Sequence, residues 1–155
     1  MVEAKRRKEE RAIDRRKREA LKPISVLKAE AQAAFNTYIR LRDVGKGCID
    51  CGVRFEPNKP GGSMDAGHYL ARSIAPHLRF NENNVFGQRK NCNRPGGTTR
   101  AEFRAGVEAR IGTAALEALE ADRTPLKLTA DGYRSVRDTY REKARTLRKE
   151  RKESR

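Results

Sequence analysis

Apolar positions fall into three regimes along the chain. Residues 3–20 have helix-forming composition and almost no apolar stripe, which predicts a solvent-exposed or DNA-lying helix ended by Lys22-Pro23. From Ser25 to about Asp43, Leu27, Ala31, Ala34, Phe35, Tyr38 and Leu41 share one face of a better helix, broken by Gly45 and Gly47. Residues 48–97 lose the helical period. They hold seven of the twelve glycines and six of the seven asparagines, and they predict short strands at Val53–Phe55 and around Gly67–Leu70, with a loop through Pro57–Ser63 between them. After Cys92 the period returns. Thr99-x-x-Glu102 is a capping box opening a helix through Phe103, Val107 and Ile111. Gly112 interrupts, Thr113–Glu120 makes a short helix, Thr124–Leu128 is a linker, and a last helix runs from Thr129 with Tyr133, Val136, Tyr140 and Leu147 on one side. The predicted class is α+β and α-rich. Its parts are a basic helical extension (1–22), a helix and finger core (23–128) and a basic C-terminal helix (129–155).

Composition sharpens this picture. Hydrophobic residues are 36 % and charged residues 37 %, a small core for 155 residues, and a small core often recruits a metal to close its fold. Net charge is +15. Residues 1–22 carry ten Lys/Arg against five Asp/Glu, and residues 134–155 carry ten against four, so the ends hold most of the excess. Such a field suits a polyanion, and the lopsided balance favours phosphate contacts over merely solvated helices. No apolar run approaches the ~20 residues needed to span a bilayer, and Glu3, Glu9, Glu10, Asp14 and Glu19 argue against reading the arginine-rich start as a transit peptide. The expectation is a soluble protein of a reducing, cytoplasmic compartment.

The candidate chemistry is concentrated between residues 48 and 93. Cys48 and Cys51, two residues apart on a turn with Gly52 following, can both face one Zn²⁺, and Cys92 offers a third thiolate. A second Cys-x-x-Cys would place its first cysteine at Arg89, which cannot ligate. His77 is left as a candidate fourth ligand, or as an ordinary loop histidine. His68, the other histidine, follows Asp65-Ala-Gly, and a neutral imidazole there can activate water near pH 7.

The order Cys-x-x-Cys, Gly-His-Tyr, Asn, Cys-Asn resembles the HNH, or His-Me finger, nucleases. More closely, Asp65-Ala-Gly-His-Tyr, Leu78-Arg-Phe-Asn-Glu-x-Asn84 and Cys92-Asn93 resemble the lambdoid phage NinG (Rap) recombination nucleases. The likeness covers roughly three quarters of the chain, from the Phe35–Asp43 helix to Arg110-Ile-Gly112 and the basic final helix. It implies an HNH-like ββα, treble-clef-type finger with a zinc knuckle. It also implies cutting of branched DNA such as Holliday junctions or D-loops, with Mg²⁺ or Mn²⁺ as catalytic cofactor and Zn²⁺ as structural metal. By position, His68 is the general base, Asn84 fixes the loop and imidazole, and Asn93 helps bind the catalytic metal. Asp65 is a further candidate metal contact, although many HNH proteins carry that ligand immediately before the histidine, where this chain has Gly67. Positions 65 and 68 of a strand face opposite ways, so their convergence requires a turn at Ala66-Gly67.

Arg72, Arg79, Arg89, Lys90 and Arg94 lie nearby in sequence and form a candidate phosphate clamp. The expected setting is a bacterial host cell, alongside phage recombination proteins. Two cuts on a symmetric junction suit a homodimer. The competing class is a non-catalytic module that binds branched or duplex DNA with the same finger. A zinc-knuckle RNA binder ranks last, because Tyr69, Phe80 and Phe86 show no stacking-platform spacing.

Overall fold

The computed structural model describes residues 2–56 and 63–154. Five helices and one antiparallel hairpin follow in the order α1 (Val2–Ala20), α2 (Ile24–Asp43), β1 (Met64–His68), β2 (Val85–Arg89), α3 (Arg100–Ile111), α4 (Thr113–Ala121) and α5 (Ala130–Glu153). A 3-10 turn at Pro76–Leu78 interrupts the long excursion between the strands. The class is helix-rich α+β, as expected. Among the described residues no helix is long and apolar enough to cross a membrane.

The hairpin has a helical layer on each face. Val85 packs with Phe35 and Ile39 of α2, and with Ala66, Phe80 and Tyr140 of α5 around them. Phe86, its neighbour on the opposite face, joins Ile49, Tyr69, Leu78 and the α3/α4 residues Phe103, Val107, Leu116 and Leu119. Alternation along β2 therefore buries both faces. Helix α5 lies along α2: Phe35 and Tyr140 stack edge to face at 4.7 Å, and Glu82 accepts from both Tyr38 and Tyr140 to tie the two helices to the excursion. Among the described residues, helix α1 is held at its C-terminal end, where Glu19 meets Lys22, Arg134 and Arg137.

Two strand expectations need correction. Val53–Phe55 is not a strand. Val53 instead returns its carbonyl to the Cys48 N–H at 2.9 Å, closing the turn that carries the first two cysteines, while Phe55 fills space beside Cys48 and Cys92. The strand expected around Gly67–Leu70 begins earlier, at Met64, and ends at His68, and its partner is Val85–Arg89. The Pro57–Ser63 loop falls at residues 57–62 outside the described residues. The capping box is present as read, with Thr99 Oγ1 accepting from the Glu102 N–H and the Glu102 carboxylate accepting from the Thr99 N–H.

Candidate functional site

The knuckle begins where α2 ends. Asp43 is fully buried, accepts the Gly87 N–H at 2.8 Å and pairs with Arg42, which anchors the helix end to β2. Gly47 then takes φ 77°, and a Cβ there would lie 2.6 Å from the Gly52 carbonyl oxygen. That tight turn sets Cys48 and Cys51 against Cys92, with all three Sγ atoms within 4.8 Å of one another. Cys51 and Cys92 Sγ are 3.7 Å apart. Tetrahedral bonds of ~2.3 Å separate sulfurs by about 3.8 Å, so the donor set fits a thiophilic ion such as Zn²⁺ with one corner unfilled by cysteine. Arg89 stands at that side: its N–H donates to Cys48 Sγ at 3.2 Å and its guanidinium approaches Cys51 Sγ at 4.0 Å. Burial would raise the Cys51 thiol, but the Val53 N–H and the Arg89 guanidinium outweigh it and hold the thiol below its usual range. His77 is not the fourth ligand; its Nε2 pairs with the Asp122 carbonyl at 3.0 Å.

His68 ends β1. Partial burial pushes its imidazole down to about 4, against a raising contact with the Arg79 carbonyl, and Arg72 and Arg79 add like-charge repulsion. Nε2 lies 3.0 Å from the Arg79 carbonyl oxygen. A carbonyl only accepts, so Nε2 carries the proton and the neutral ring keeps Nδ1 as its bare nitrogen. Asn84 holds the loop that supplies this carbonyl. It is fully buried, its Oδ1 accepts from the Leu70 N–H at 2.8 Å, and its Nδ2 donates to the Leu70 and Leu78 carbonyls. It therefore pins both ends of the excursion without bonding the imidazole itself.

Asp65 and Asn93 meet elsewhere. Asn93 Nδ2 donates to Asp65 Oδ2 at 3.2 Å, and Lys90 Nζ is 3.9 Å from the same carboxylate. One carboxylate and one amide, whose oxygen and nitrogen exchange by a flip, suit a hard cation that keeps most of its waters. The turn that would join Asp65 to His68 is absent. Ala66 pairs with Gly87 and Gly67 with Phe86 in unbroken register, so the two side chains leave opposite faces of β1. The basic candidates are likewise divided. Arg79 donates to Gln32 beside His68, Arg89 and Lys90 are engaged with Cys51 and Asp65, and Arg72 and Arg94 are exposed.

Two contributors escaped the sequence reading. One is the Arg79 backbone carbonyl, which no side-chain pattern can announce. The other is Gln88, Asp65's cross-strand partner, buried and donating to Asp50 Oδ2 at 2.6 Å. Gln88 Oε1 fills the space beside Gly67, where an added Cβ would fall 2.0 Å from it. Residue 67 is thus small because a buried amide occupies the room that a side chain there would need.

A family model described as Bacteriophage Lambda NinG protein matches residues 2–150. Protein ninG of Salmonella phage P22 is 35 % identical over 135 residues, covering 87 % of this chain and 64 % of its own length. Protein ninG of Escherichia phage lambda is 34 % identical over the same extent, again 64 % of its length, and that of Escherichia phage 933W is 34 % identical over 65 % of its length. The chain therefore spans a little under two thirds of the curated relatives it matches. No solved structure matches it.

Proposed function

The chain belongs to the NinG family of bacteriophage proteins, and from that premise we propose that it is a metal-dependent DNA endonuclease cutting branched recombination intermediates such as Holliday junctions or D-loops. The observation that carries this reading is His68. A general base must be unprotonated at working pH and present a free nitrogen in a fixed direction. Burial keeps this imidazole neutral, and the Arg79 carbonyl both fixes the ring and leaves Nδ1 free. Nδ1 takes a proton from water, and the resulting hydroxide attacks the phosphorus as the 3′-oxygen departs. Arg72 and Arg79, close enough to bias the imidazole, supply positive charge for the phosphate beside it. Asn84 acts through the loop, keeping the Arg79 carbonyl in place. The succession β1, β2, α3 supports a ββα, HNH-like finger.

Asp65 and Asn93 would hold the Mg²⁺ or Mn²⁺ ion, whose chemistry is to withdraw charge from the phosphate and stabilise the leaving oxygen. Their position across β1 from His68 favours a second reading, a non-catalytic module that binds branched or duplex DNA with the same finger. Cleavage of a labelled four-way junction and a matched linear duplex in Mg²⁺ separates the two. The nuclease reading expects wild type to cut the junction and His68→Ala to bind without cutting. Tight binding with no cutting by wild type in either Mg²⁺ or Mn²⁺ leaves the binding module.

A further inference from the structure

We infer that α1 and the outer flank of α5 form one continuous phosphate track for duplex nucleic acid, separate from the finger and set at a fixed angle by an ionic lock. This rests on the nucleic-acid reading above but not on catalysis.

Arg7, Arg11, Arg15 and Arg18 recur every three or four residues, which keeps them on one face of α1. Arg11, Arg15 and Arg18 form no ion pair among the described residues, and with Asp14, Glu19 and Lys22 they line a concave strip at the helix end. On α5 the same spacing brings Arg141, Arg145 and Arg148 to one flank. There they border a groove of about 460 Å³ floored by Ala33, Ala34 and Ala144, with Thr37 on its α2 side and Glu30 also lining it. Small side chains keep the floor low between three arginines, of which Arg145 also bonds Glu142, a composition suited to a sugar-phosphate backbone.

The two stripes meet at the lock. Lys22 bridges Glu19 of α1 and Glu30 of α2 at 2.7 and 2.6 Å, and the buried Arg137 bonds both carboxylates from α5. Arg134 adds a hydrogen bond to the Glu19 carbonyl. Glu19, Glu30 and Asp138 at the junction are thus each paired with a cation, which leaves Asp14 as the acid lining the α1 strip beside Arg11, Arg15 and Arg18.

The side-chain chemistry selects the occupant. The track carries no exposed aromatic, because Tyr38 and Tyr140 are turned into the α2/α5 contact, so it offers nothing for unstacked bases. Its stripe also lacks the large apolar side chains that an interfacial membrane helix buries. Duplex phosphates fit both facts.

The test measures binding of the full chain to a labelled duplex over a series of KCl concentrations, in a His68→Ala background without divalent cation. One triple variant carries Arg141→Gln, Arg145→Gln and Arg148→Gln, and the other Arg11→Gln, Arg15→Gln and Arg18→Gln. Each is compared with the matching Arg→Lys triple, and circular dichroism checks folding. Each lost phosphate contact lowers the slope of log affinity against log salt by about 0.9. Each Gln triple should therefore flatten the slope by roughly 2–3 while the Lys triple restores it. Folded Gln triples with unchanged slope and affinity overturn the track. So does a loss seen on phosphatidylserine vesicles or single strands and not on duplex. Slopes that respond in a protein whose wild type never cuts a junction remove the nuclease reading and leave the track standing; cutting with unresponsive slopes does the reverse.

Discussion

A half-buried imidazole held neutral makes His68 a source of pH dependence as well as a candidate base. Its folded pKa of about 4 lies below the ordinary histidine value of 6.5. Between those values the unfolded chain takes up a proton that the folded chain refuses, so stability is full above the upper value and is lost as pH falls toward the lower one. The span corresponds to about 3 kcal/mol. Urea titrations from pH 7 down to 4.5 should show this loss in wild type and a shallower slope in His68→Ala; equal slopes would mean that the ring is not held neutral. Arg89 supports a second residue-scale prediction. Three sulfurs already stand at spacings that a tetrahedral ion accepts, and Arg89 sits where the fourth cysteine would come. Arg89→Cys should bind one zinc per chain and raise the melting temperature in a chelator-sensitive way, read by elemental analysis and melting with and without EDTA. A variant that gains no zinc would show that β2 does not bring position 89 to the metal. The three clustered cysteines were legible because the Cys-x-x-Cys pair and a later cysteine announce themselves by type and spacing. What the string concealed was direction. Gly67 is small because the Gln88 side chain of β2 presses against it, and the unbroken strand through Ala66 and Gly67 parts Asp65 from His68.

Helix α3 reaches the knuckle because residue 106 has no side chain. A Cβ on Gly106 would lie 1.9 Å from the Ile49 carbonyl oxygen, a backbone atom held by the Cys48–Cys51 turn and by the Gly87 carbonyl that accepts its N–H. Gly106→Ala gains helix propensity of under about 1 kcal/mol but forces this contact apart, at a cost of about 1–3 kcal/mol. The expected net result is a lower urea midpoint. An unchanged or higher midpoint would mean that α3 does not sit this close. The same contact explains which elements could be read from sequence. α2, α3 and α4 each bury one stripe and so carry a helical period, and Thr99 and Glu102 marked the start of α3. β2 carries none. Val85, Phe86, Gly87 and Gln88 are all buried, two facing α2 and two facing α3/α4, so no apolar–polar alternation survives to mark a strand. Val53–Phe55 shows the converse, strand-like residues whose hydrogen bonding is claimed by the cysteine turn.

At the scale of the whole molecule the basic ends are joined by a few buried contacts and little apolar surface. α1 has Ile13 as its one large apolar side chain in the described region, and that is half-exposed. What fixes the helix is its last turn, where Glu19 meets Arg134, Arg137 and Lys22. Arg137 is the member that cannot be spared, since it is 6 % exposed and bonds Glu19, Glu30 and Asp138 from one guanidinium. Removing it leaves Glu19 with Lys22 and Arg134 and Glu30 with Lys22, whereas the hairpin and α3 keep all their own contacts. Arg137→Met retains the volume of the stem against α2 and deletes only the charge. Hydrogen exchange should therefore quicken in the last turn of α1 and the first turns of α2 and α5, with the amides of β1 and β2 unchanged. Faster exchange throughout would instead make Arg137 part of the global core. No change at all would mean that Lys22 and Arg134 suffice to hold the arm. Sequence could place the charge at both ends but could not show that they meet, because Glu19 and Arg137 are 118 residues apart and no local pattern links their helices.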